Sequence, residues 1–156
     1  MRAMVVSQFG GPEVLELREV AEPAPGEHDL LIEVHCAALN PVDFKIRRGA
    51  FGEGRTLPII PGYDVSGVVR ACGSKAEGFN VGDEIYASPS LIRDGADAPF
   101  VCVDARTAAP KPRSLDHAHA AALPLVTLTA WEALYERAQI QAGETVLIHA
   151  GGGGVG

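Results

Sequence analysis

The stretch Glu144-Thr145-Val146-Leu147-Ile148-His149-Ala150-Gly151-Gly152-Gly153-Gly154-Val155-Gly156 decides how this chain is read. Its apolar, β-branched run predicts a strand over Thr145–His149, with His149 packed at the strand end. The strand leads directly into Gly151, Gly153 and Gly156. That spacing is G-x-G-x-x-G, the turn that holds a dinucleotide pyrophosphate when it joins a strand to a helix. Gly151 permits the tight turn, Gly153 lets backbone approach the phosphates, and Gly156 lets the next helix pack close. That helix would lie beyond Gly156.

Upstream of the strand, Pro124 opens a predicted helix that runs to about Ala138, and Ala142-Gly143 forms a turn. Asp116–Leu123 is alanine-rich and reads as a shorter helix. His117 and His119 are two residues apart, so they do not share a helix face and are expected in solvent. Trp131 and Tyr135, at i,i+4, mark an apolar face.

Before residue 112 the pattern is β. Met1–Gln8 and Glu13–Val20 flank the turn Phe9-Gly10-Gly11-Pro12 and predict a hairpin. Asp29–Leu39 places Leu30, Ile32, Val34 and Cys36 on one face at period two. Asn40 is a good N-cap for a helix over Pro41–Arg48, with Pro41 at its first position and Asp43 facing its dipole. Lys45 and Arg48 on that helix are expected in solvent. Phe51–Pro61 reads as loop, Val65–Cys72 as a strand, and Glu84–Ala87 and Pro99–Asp104 as further strands around a plain loop, Ser88–Ala98.

Bulk properties exclude several classes. The net charge is −7 and no basic block stands out, so nucleic acid is not an expected partner. No apolar run approaches the roughly 20 residues that span a bilayer. Polar Ser7-Gln8 interrupts the N-terminus too early for a signal-peptide core, so a cytoplasmic protein is expected. Cys36, Cys72 and Cys102 form no C-x-x-C pair and read as reduced thiols.

Five segments in one register carry a resemblance. They are Ala37-Ala38-Leu39-Asn40-Pro41-Val42-Asp43-Phe44-Lys45-Ile46-Arg47-Arg48-Gly49; Pro61-Gly62-Tyr63-Asp64-Val65-Ser66-Gly67-Val68-Val69; Val81-Gly82-Asp83-Glu84-Ile85-Tyr86; Ala121–Leu125 continuing through Thr129–Leu134; and the terminal glycine turn. Together they resemble the zinc-independent medium-chain dehydrogenase/reductases, the quinone oxidoreductase-like and enone reductase-like proteins. The resemblance implies a mainly β GroES-like barrel domain at 1–123. It also implies the first helix, strand and glycine turn of an α/β Rossmann domain at 124–156. Zinc-dependent relatives carry Cys near position 40 and Gly-His-Glu near 62 to 64. Here those positions hold Asn40 and Gly62-Tyr63-Asp64, of which only Asp64 is a usual zinc ligand. The cysteine-rich structural zinc lobe, expected near 88 to 104, is reduced to Cys102. A metal-free protein is expected.

The resemblance further implies hydride transfer from NADPH, with NADH not excluded, to a quinone or an α,β-unsaturated carbonyl. The residue that separates the two cofactors lies about 20 positions past the turn. Asn40 then has two open readings: helix cap, or donor to a carbonyl or nicotinamide ribose. Tyr63 is a donor in the cleft or simply fills volume. Thr129 lies beneath the nicotinamide, or its hydroxyl bonds back to a carbonyl four residues earlier. Gly151, Gly153 and Gly156 hold the pyrophosphate. Asp64 supports local loops or pairs with a base. The intact protein is expected to be a homodimer acting on a small molecule. The 156-residue chain alone is expected to be inactive and prone to associate.

Overall fold

The computed structural model describes residues 1–50 and 56–156. Strands β1 (Arg2–Val6) and β2 (Leu15–Glu19) pair antiparallel as the expected hairpin, with Ala3 opposite Arg18. Five further strands are β3 (Asp29–Ala37), β4 (Val65–Cys72), β5 (Glu84–Ala87), β6 (Phe100–Asp104) and β7 (Ala108–Pro110). They form one antiparallel sheet in the order β6-β3-β4-β5-β7. The hairpin is fastened to the rest by the bridge between Val6 and Ile59, and by the Met4 N–H donating to Asp97 O at 2.9 Å.

The period-two reading of β3 holds for Leu30, Ile32 and Val34 but not for Cys36, which does not join their core and follows a shift in the pairing with β4. Leu30 and Ile32 are fully buried, and Val34 packs against the same core. They meet Val65, Val69, Ile85, Val101 and Val103 from the neighbouring strands. Burying each such side chain contributes about 1.5–3 kcal/mol. A second core joins Val6, Val14, Ile46, Ile59 and Tyr63, and locks helix α1 (Pro41–Arg47) beneath the hairpin. Lys45 and Arg48 are exposed, as expected.

Helix α2 (His117–Ala121) is capped by Asp116, whose carboxylate accepts the His119 N–H at 2.8 Å. Helix α3 (Pro124–Trp131) continues into a π-helical turn, Glu132–Arg137. This is the predicted helix to about residue 138, with its last turns wound wider.

Three expectations need correction, and one strand goes unanticipated. Thr145–His149 is not a strand; among the described residues no segment pairs with it, and an extended run without a ladder partner is not a sheet. His149 is accordingly exposed, not packed. His117 is not a solvated residue, because its side chain is pinned between the sheet and α2 by Ser66 and Glu84. Strand β7 is not legible in the sequence; Ala108, Ala109 and Pro110 carry no strand pattern and are held by pairing with β5. In the expected loop Phe51–Pro61, residues 51–55 lie outside the described residues.

Candidate functional site

The site is a polar knot where three chain segments meet: the start of α1, the turn Pro61–Asp64, and the start of α3. Asn40 sits between β3 and α1 in an extended conformation and is 8% exposed. Its backbone N–H donates to Asp43 Oδ2 at 2.6 Å, and the Asp43 N–H returns a bond to Asn40 O at 3.0 Å. Its side-chain Nδ2 donates to Asp64 Oδ2 at 2.8 Å. Asn40 and Asp43 form a capping box at the start of α1, and the Asn40 amide nitrogen also reaches a residue 24 positions away.

Asp64 is fully buried. Its other oxygen, Oδ1, accepts the Leu125 N–H at 2.8 Å. Leu125 is the second residue of α3, where backbone N–H groups lack intrahelical acceptors. Leu123, at the N-cap position, offers no side-chain cap. Asp64 thus caps α3 from across the molecule. Asp43 Oδ1 accepts the Gly62 N–H at 3.2 Å, which fixes the turn that carries Asp64. Gly62 has φ +100°, and its carbonyl accepts the Ala96 N–H at 2.8 Å.

Burial dominates the electrostatics here. It pushes Asp64 up to about 6, against the opposing bonds from Asn40 and Leu125, and the Asp43 charge adds to the rise. Asp43 is raised by burial, which outweighs the N–H bonds from Asn40 and Gly62. Asp97 is raised by burial and then by Asp43. Buried acids near one turn thus share a cost of ionisation.

Thr129 stands one helical turn beyond Leu125, and its Oγ1 donates to Leu125 O at 2.8 Å. Tyr63 is wholly buried in the second core, and its carbonyl accepts the Ser88 hydroxyl at 2.7 Å. Gly151, Gly153 and Gly156 lie in an exposed turn closed by the Gly153 N–H donating to Ala150 O at 2.8 Å. The turn folds on itself: a Cβ at position 156 would stand 2.5 Å from Gly151 Cα. It also touches α3, since a Cβ at Gly154 would lie 3.1 Å from Val126 Cγ1. Asn40, Asp64, the first turn of α3, Thr129 and the glycine turn are therefore linked by successive contacts. Tyr63 lies behind this line, in the core. Among the described residues, no group of three or more His, Cys, Asp or Glu side chains is arranged to hold a metal ion. No helix there is long and apolar enough to cross a membrane.

Sequence reasoning misses the Asp64–Leu125 bond, and it misses a second polar cluster under α2. Ser66 Oγ donates to Ile85 O at 2.9 Å and lies 2.8 Å from His117 Nδ1. His117 Nε2 lies 3.2 Å from Glu84 Oε1, and the His35 ring lies 4.4 Å from the His117 ring, centroid to centroid. Only Asp64 carries a sequence signal, as an acid inside an apolar stretch.

Known proteins resemble this chain in sequence and in fold. The alcohol dehydrogenase GroES-like domain matches residues 26–113. A quinone oxidoreductase of Homo sapiens is 41% identical over 157 residues, covering 100% of this chain and 47% of the relative. An NADPH-dependent alkenal/one oxidoreductase, chloroplastic, of Arabidopsis thaliana is 42% identical over 164 residues, covering 100% of this chain and 42% of the relative. The solved quinone oxidoreductase of Coxiella burnetii superposes with a TM-score of 0.90 at 38% identity, covering 99% of this chain and 50% of that one. The chain spans about half the length of the curated relatives it matches. Its GroES-like match, its mainly β fold and these relatives agree: the chain belongs to the alcohol dehydrogenase GroES-like family, among the quinone oxidoreductase-like medium-chain dehydrogenase/reductases.

Proposed function

We propose that this chain is the substrate-binding half of a zinc-independent oxidoreductase that reduces a quinone or an α,β-unsaturated carbonyl with NADPH. The observation that carries the reading is the Asn40 amide, held at a buried junction beside the start of α3 by Asp64. Residues 1–123 form the GroES-like part, and residues 124–156 begin the nucleotide-binding part.

The glycine turn is exposed, and a Cβ at Gly151 would meet only Ile148 O, at 4.0 Å, which supports backbone open to a pyrophosphate there. Gly151, Gly153 and Gly156 would hold it through backbone N–H groups, and Thr129 would lie against the nicotinamide. When bound, the cofactor supplies the hydride. The protein supplies a fixed donor: Asn40 keeps one amide hydrogen on Asp64 and has a second to offer to the acceptor oxygen. A preoriented donor of this kind contributes about 3–4 kcal/mol when charge develops on that oxygen. Tyr63 contributes shape, by fixing the Gly62–Asp64 turn from the core side.

The test is the full-length gene product, titrated with NADPH and then assayed against a benzoquinone and an enal, with and without a chelator. The expected result is micromolar NADPH binding and chelator-resistant turnover, with Asn40→Ala reducing kcat by about 100- to 1,000-fold. Absence of NADPH binding overturns the reading.

A second reading is favoured by Leu147, 80% exposed, and by Ile148 and Val146 beside it. The 156-residue chain by itself would be a non-catalytic GroES-like module. NADPH titration of the chain alone decides: no binding supports this reading, and micromolar binding refutes it.

A further inference from the structure

We propose that Asp64 is a positioning residue that sets which end of the Asn40 amide is free and couples that setting to the seating of α3. The proposal rests on the functional reading above for the use to which Asn40 is put.

The argument follows from donor and acceptor counts. An ionised carboxylate only accepts hydrogen bonds, whereas a carboxylic acid donates one. Oδ1 of Asp64 faces the Leu125 N–H, a backbone donor that cannot be reversed. Oδ2 faces the Asn40 side chain, whose amide can turn over. A proton arriving on Asp64 must therefore settle on Oδ2, because on Oδ1 it would confront the Leu125 N–H. Once there it confronts the Asn40 NH2. Asn40 then rotates its amide and presents Oδ1 to the new O–H.

Ionised Asp64 thus leaves Asn40 with one free N–H and its carbonyl turned away from the carboxylate. Protonated Asp64 takes the carbonyl and releases both N–H groups. The same carboxylate caps α3, which carries Thr129 and touches the glycine turn at Val126. Orientation of the acceptor's donor and seating of the nucleotide-side helix share one group.

The charged surroundings make the switch accessible. Asp43 on α1 is the ionisable group that acts on Asp64, and the same Asp43 acts on Asp97 of the 88–98 loop. Helix α3 carries no ionisable side chain. Burial and a like charge both favour the acid form, so the flip belongs at about pH 6, not near 4.

The experiment is an NMR pH titration of the 156-residue chain, following the Asp64 carboxyl carbon, the Asn40 side-chain amide and the Leu125 backbone amide. The expected result is one shared midpoint for all three, well above that of an ordinary carboxyl. Asp43→Asn should lower that midpoint and leave the three signals coupled. Asp64→Asn separates capping from switching. It should abolish the Asn40 pH response and retain slow Leu125 exchange, because the carbonyl of the introduced amide still accepts the Leu125 N–H. Asp64→Ala should speed Leu125 exchange at least tenfold. Independent midpoints, or an unchanged Asn40 titration in D64N, would overturn the proposal. These readouts need no cofactor, so an inactive full-length protein with coupled titrations would sink the catalytic reading and leave the coupling standing.

Discussion

The turn that carries Asp64 is testable through Gly62. Replacing it by Ala has two costs. At φ +100° an L side chain is strained, by about 1–2 kcal/mol. The added Cβ would also stand 2.6 Å from Asp97 N and 2.8 Å from Ala96 N. Those N–H groups donate to Pro61 O at 2.9 Å and Gly62 O at 2.8 Å, so making room stretches both bonds. Weakening two such bonds costs about 1–3 kcal/mol in all. Gly82→Ala is the control: its φ is +98°, and a Cβ there meets nothing within 4 Å. Both variants lose the same glycine freedom in the unfolded chain, so that gain cancels in the comparison. Urea unfolding followed by far-UV circular dichroism should show Gly82→Ala lower by about 1–2 kcal/mol and Gly62→Ala lower by about 2–5 kcal/mol, with unchanged m. Equal losses, within about 0.5 kcal/mol, would refute the claim that contact with the 95–97 loop holds this turn.

Three further outcomes follow from named contacts. Arg93 donates to both oxygens of buried Asp29, at 2.8 and 2.6 Å, and holds that carboxyl below its ordinary value. That stability is present above the ordinary value of 3.8 and is lost as pH falls through the folded one. With Arg93 partly exposed, Arg93→Ala should cost about 1–3 kcal/mol at pH 7, and the gap to wild type should close in acid unfolding. His117 is held below its ordinary value of 6.5 by burial and then by His35, against the opposing pull of Glu84. The unfolded chain therefore binds the proton more readily, and stability should fall as pH drops below 6.5; His117→Gln should remove that step from the pH–stability curve. Leu128, Trp131, Tyr135, Leu147 and Ile148 are all more than half exposed. The chain should self-associate in sedimentation velocity, and Leu147→Asp combined with Ile148→Asp should return it toward monomer.

What can be read from the sequence is what neighbours in sequence determine. Strand β4 falls on the expected Val65–Cys72 and β5 on Glu84–Ala87, because their apolar runs are bounded by turn residues. Helix α1 begins after Asn40 because Asn, Pro and Asp stand in capping order. Strand β7 is invisible because its pairing with β5, not its own composition, makes it a strand. Thr145–His149 fails for the converse reason: the composition is right and, among the described residues, no ladder partner pairs with it.

The site follows the same division. Local reasoning places Asn40 at a helix start, and its backbone is there. Its side chain answers to Asp64, which answers to Leu125, 61 residues further on. Neither spacing has a period that a pattern could reveal. His117 departs from expectation likewise, since helix periodicity cannot anticipate Ser66 waiting 51 residues upstream. Yet one trace is present. Asp64 lies between Tyr63 and Val65, both fully buried, and a carboxylate in such company must find donors or a proton. Asn40 and Leu125 are those donors, and burial still draws the proton. An acid flanked by buried apolar residues therefore predicts that distant polar partners exist, even where nothing in the sequence says which they are.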